Sequence, residues 1–168
     1  MDFYLDKLQR AIRSSIAGMS GEEMNRHPPE KWSAAEILEH LYLTYTGSVK
    51  GFERALAAGK PLVTAGTIRH RMRTAVVTRF GYLPEGRKAP PTTVPRGVPS
   101  EKVVAEIDAR IAAMDEIIAR CEEQFGAREN LLDHPVLGPL TGEQWRKFHW
   151  VHGRHHVKQI QRLRREQR

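Results

Sequence analysis

The chain is short of cysteine. Cys121 is the only one in 168 residues, so no intrachain disulfide is possible and a disulfide-stapled fold is excluded. No apolar run approaches the roughly 20 residues needed to cross a bilayer, which removes a membrane span. The opening Met1-Asp2-Phe3-Tyr4-Leu5-Asp6-Lys7 has neither the basic start nor the apolar stretch of a signal peptide. A cytoplasmic protein without a membrane partner is the expectation. Aromatics make up 7% of the chain and are not interleaved with either basic cluster, Arg69–Arg73 with Arg79 or the tail Arg162–Arg168. The net charge of +7 therefore speaks for solubility and electrostatic steering; a nucleic-acid-associated protein is the least favoured reading. Repeats, low-complexity tracts and boundary signals are missing too. One domain, 1–168, is expected to bury its own core.

What the chain does have is helical punctuation. Phe3, Leu5, Leu8, Ile12 and Ile16 recur at helical spacing behind Asp2, a plausible N-cap. Gly18, Gly21, Pro28 and Pro29 break that pattern around one short turn of helix. Ser33-Ala34-Ala35-Glu36 is a capping box and predicts a second long helix from Ala34 to about Ala58, ended by Gly59. Gly47 and Gly51 weaken its second half. A proline-rich connection over 59–100, with Pro61, Pro84, Pro90, Pro91, Pro95 and Pro99, leaves room for a short helix at Ile68–Phe80 or a strand at Ala75–Thr78. Ser100 is placed as the cap of a third long helix, Glu101 to Phe125, with a stripe through Val104, Ile107, Ile111, Met114, Ile118 and Cys121. A loop over 126–140 leads to a second capping box, Thr141-Gly142-Glu143-Gln144, and a last helix to about Arg165. The pattern predicts an all-α four-helix bundle whose long crossover lets its second and third helices run parallel.

The last helix carries the chemistry. Trp145, His149, His152, His156, Gln159 and Leu163 fall on one stripe at 3.6 residues per turn. Tryptophan and leucine mark the stripe as inward, yet polar side chains stand where a bundle packs leucine, and buried polar groups need partners. His152 and His156, one turn apart, can converge on one ion at the usual ~2.0–2.1 Å zinc–nitrogen distance. A third ligand has to come from a facing helix. His40 lies six or seven residues into the second helix, at a depth comparable with the pair if the two helices run antiparallel. Spacing leaves His149 open as a rival to His156. His155 points about 100° off the stripe.

Trp32-Ser33-Ala34-Ala35-Glu36-Ile37-Leu38-Glu39-His40-Leu41 and Trp150-Val151-His152-Gly153-Arg154-His155-His156-Val157-Lys158-Gln159-Ile160 resemble the two signatures of the DinB/YfiT-like superfamily. His134-Pro135-Val136-Leu137-Gly138-Pro139-Leu140-Thr141 before Trp145 resembles its DinB-like branch. The resemblance covers essentially the whole chain. It implies an up-down-down-up four-helix bundle and a divalent ion, zinc or nickel, on His40, His152 and His156, with water completing the site. It also implies a thiol-dependent transferase using a low-molecular-weight thiol cosubstrate.

Three neutral ligands leave an ion with an open position and its full charge, suited to activating a thiol or water. The candidate functions are a thiol S-transferase, a metal-dependent hydrolase, and a non-catalytic metal or small-molecule binder. His149 and Gln159 are expected to line the pocket or support the ligands. Glu36 is a candidate partner for the free N–H of His40, in competition with its capping role. Glu36, Glu39 and His149 are the available bases, and Arg69, Arg71 or Arg73 the candidates to grip an acidic cosubstrate. The expected partner is a small molecule, with a homodimer left open.

Overall fold

The computed structural model describes residues 1–83 and 88–166. Pro84 of the connection and Gln167 and Arg168 of the basic tail lie outside the described residues. Six α-helices are described: α1 (Phe3–Ile16), α2 (Gly21–Asn25), α3 (Ala34–Ala57), α4 (Ile68–Phe80), α5 (Ser100–Phe125) and α6 (Gly142–Glu166). No helix among the described residues is long and apolar enough to cross a membrane.

The local signals explain most helix ends. Asp2 accepts from the Tyr4 N–H, and Ser33 and Glu36 close their reciprocal capping box at α3. Thr141 and Gln144 do the same at α6. Ser100 differs from its expected role: it is the first residue of α5, and Pro99 before it provides no side-chain cap. The Ile68–Phe80 segment is a helix, not a strand. Thr67 caps its start, and Gly81, at φ 62°, ends it in the left-handed conformation.

Side-chain contacts give the helix directions. Tyr42 bonds Glu106, and the Cys121 thiol meets the Phe52 carbonyl, so α3 and α5 run parallel. Phe52 packs on Trp145 while His40 meets His152, so α3 and α6 run antiparallel. Lys7 lies over Trp150 near one end of α1, and Arg164 reaches the Ser15 carbonyl near the other, so α1 and α6 are parallel. The core between them includes Leu5, Leu8, Leu38, Tyr45, Ile111 and Ile118, all fully buried. Gly153 lies where α1 crosses α6. A Cβ there would overlap Leu8, which accounts for a glycine inside a helix.

The chain is mostly helical, but the segment expected as a loop over 126–140 forms an antiparallel hairpin, β1 (Asn130–His134) with β2 (Gly138–Thr141). Leu62, at the start of the long connection, pairs parallel with Leu132 and extends the ladder. Pro135, Gly138 and Pro139 hid the strands, because pairing across sequence leaves no local periodicity. The hairpin presses on α3, where Gly51 leaves the space that Leu132 fills, and the Trp145 indole donates to the Leu132 carbonyl. It therefore helps set how α6 sits against α3.

Candidate metal centre

α3 and α6 bring His40, His152 and His156 together. Each offers one ring nitrogen, and these atoms lie within 4.8 Å of one another. His40 Nε2 stands 3.2 Å from His152 Nε2, and His156 Nε2 stands 3.1 Å from it. Bonds of ~2.0–2.1 Å at octahedral to tetrahedral angles would put ligand nitrogens roughly 2.9–3.4 Å apart. The two spacings to His152 Nε2 fall in that window, and the three nitrogens together lie within 4.8 Å.

The outer ring nitrogens orient two of the three imidazoles. His40 Nδ1 lies 2.8 Å from the Thr93 carbonyl and His156 Nδ1 lies 2.7 Å from Gln159 Oε1. Both acceptors require Nδ1–H, so both rings turn an unprotonated Nε2 toward His152. A single proton on His152 cannot serve both lone pairs at full strength, whereas one cation serves all three. His152 Nδ1 is buried without a hydrogen-bond partner among the described residues. Burial depresses the pKa of each ring: His40 downward, His156 to about 3 with help from His40, and His152 well below its ordinary value. The rings are held neutral, which is the state that ligates. The donor set therefore fits a divalent ion.

Thr93 reaches the site through a part of the long connection that α3 itself holds. The buried Glu39 carboxylate accepts the backbone N–H groups of Arg96, at 2.6 Å, and Gly97, at 3.1 Å. Adjacent residues of α3 thus do linked jobs: Glu39 docks the segment, and His40 uses a carbonyl from it. Neither role was foreseen for Glu39 or Thr93. A carboxylate between Leu38 and His40 in an apolar run was the one available signal.

Gln159 holds its expected place beside His156, and its amide nitrogen lies 3.3 Å from His155 Nε2. Glu36 does not. Its carboxylate is engaged by the capping box and by His27 at 2.8 Å, and the His40 proton it was offered goes to Thr93. His149 also departs from expectation. It is fully buried between Tyr45 and Trp145, away from the cavity wall. Ser48 gives its proton to the Thr44 carbonyl and accepts from His149 Nε2 at 3.2 Å. Cys121 is an inert core thiol whose pKa burial raises.

A cavity opens beside the three clustered histidines. Arg69 and Arg73 line it, whereas Arg71 faces a smaller hollow on the other side of α4. Among the described residues, nine lysines and arginines border the larger cavity against four acidic residues, so it favours anions. His134 also lines it.

Comparison with known proteins agrees on extent and is silent on chemistry. The chain is 28% identical over 161 residues to the uncharacterized protein YuaE of Bacillus subtilis (strain 168), covering 89% of this chain and 88% of YuaE. No solved structure matches it. A family model matches residues 1–163, and the chain belongs to that family, described as "Protein of unknown function (DUF1569)".

Proposed function

We propose that this chain is a divalent-metal protein of the DinB/YfiT-like kind, with α1, α3, α5 and α6 forming an up-down-down-up four-helix bundle. The ion, zinc or nickel, is held by the Nε2 atoms of His40, His152 and His156. The observation that carries this reading is the convergence of three Nε2 atoms, with the tautomers of two rings set by Thr93 and Gln159. The parallel α3 and α5, joined by a long crossover, support the bundle.

An ion on three neutral ligands keeps its charge and lowers the pKa of a thiol or water that reaches its open position. The activity that suits this site is thiol S-transfer with a low-molecular-weight thiol. Hydrolysis suits it less well, because Glu36, Glu39 and His149 all have other partners. The engagement of these three residues also favours the second reading, a metal or small-molecule binder without turnover. A concave arrangement of basic residues fits a small anion better than a nucleic-acid duplex.

Metal analysis of protein purified without a histidine tag is the first test, with about one zinc or nickel per chain expected. The cobalt-substituted protein is then titrated with bacillithiol, mycothiol, glutathione and cysteine. A changed visible spectrum and metal-dependent turnover of an electrophile support the transferase. Metal without either response leaves the binder, and absence of metal removes both.

A further inference from the structure

His134 stands at the tip of the hairpin, and two backbone groups decide its protonation. Its Nδ1 accepts the N–H of Val136 and the N–H of Leu137, each at 3.1 Å. A nitrogen that accepts two donors carries no proton, so the neutral ring has its proton on Nε2. That nitrogen has no hydrogen-bond partner among the described residues. The ring lines the cavity and is braced by Phe148, whose ring lies 4.3 Å from His134 and 5.5 Å from His152. One phenyl ring thus separates a fixed N–H donor from the histidine cluster. Phe148, Leu137, Met72 and Val76 add apolar wall, and Arg69 and Arg73 add positive charge.

We infer that His134 is the ligand-recognition residue of this cavity, donating from Nε2–H to an oxygen of an organic acid whose apolar body lies along the wall. The inference rests on the cavity being the working site of the protein, though not on which ion the site holds. The backbone amides make His134 a donor without making it a cation, so it orients an acceptor oxygen while the arginines supply the charge. A carboxylate is the acceptor that uses both.

Two substitutions separate this role from the turn-stabilising one. In His134→Asn the amide oxygen takes the place of Nδ1 and keeps the Val136 and Leu137 contacts, but the outer donor is gone. In His134→Gln the amide nitrogen reaches the place of Nε2 and restores a donor. Benzoate is the probe, with benzyl alcohol as its neutral counterpart, titrated by calorimetry into full-length protein as purified and after chelation. Wild type should bind benzoate more tightly than benzyl alcohol. His134→Asn should weaken benzoate by about tenfold or more, and His134→Gln should stay within about threefold of wild type. Nitrogen-15 spectra of the histidines should show His134 protonated at Nε2, with a shift on adding benzoate. Undiminished benzoate binding by folded His134→Asn, no saturable binding by wild type, or a proton on Nδ1 would each overturn the inference. Failure of the protein to hold zinc, with the His134 effect intact in the chelated sample, sinks the metal reading and leaves this one standing.

Discussion

His149 and His156 lie on the same stripe of the same helix, both turned inward, and do different things. His149 is sealed, stacked on Trp145 and bonded to Ser48. His156 has its Nε2 in the cluster with His40 and His152, and it borders the cavity. The difference lies on α3. Opposite His149 it presents Ser48 and Tyr45, a hydroxyl partner and a packing surface; opposite His156 it presents another histidine, whose proton is drawn away by Thr93. An inward histidine is free to ligate when its neighbours leave its lone pair unanswered.

The sharpest way to break this contrast is to remove one ring at a time. His156→Ala should drop metal content below about a tenth of an ion per chain, while His155→Ala and His149→Phe should hold it near one, by elemental analysis. Loss of metal in His149→Phe with retention in His156→Ala would reverse the assignment. Gln159→Ala, which removes the acceptor that orients His156, should weaken zinc about 10–100-fold in a chelator competition. Unchanged affinity there would mean that His156 needs no orienting partner.

The sealed end should show itself through acid. Burial pushes His149 down to about 3, while in the unfolded chain it takes a proton near pH 6.5. Below about pH 6.5 the unfolded state binds the extra proton, so this contribution is full above that pH and falls as pH falls toward 3, by about 1.4 kcal/mol per pH unit. Urea midpoints of chelated protein between pH 6 and 4 should lose about one proton's worth of slope in His149→Phe; an unaltered slope would show that His149 is solvated. The smallest effect is expected at Glu36. Glu36→Ala should cost about 1 kcal/mol as a lost cap and leave zinc affinity within about twofold, whereas a tenfold loss would restore it as a partner of His40.

Legibility followed the range of the forces involved. The spacing of Trp145, His149, His152 and His156 marked the polar stripe, because a helix sets its own faces. The same spacing kept His149 and His156 equivalent, since nothing along α6 records what faces it. The hairpin over 130–141 went unread because each strand is short, interrupted by proline and glycine, and defined by its partner. Arg69 and Arg73 were legible as charges, but their place on the cavity wall follows from how α4 packs through Thr74 and Val77.

By itself, the sequence determined where most helices start and stop and which histidines share a face. Caps, helical periodicity and the α4 glycine stop act within a turn or two of chain, so their consequences are local. Only the tertiary structure decided that His40 Nδ1 meets the Thr93 carbonyl, that Glu39 holds the Arg96 and Gly97 amides, and that the turn after His134 fixes its proton on Nε2. The first two link α3 to a segment more than fifty residues away, and the third depends on the exact fold of a hairpin tip. Hydrogen bonds of that kind form when packing has already brought the groups together, and no local pattern encodes them.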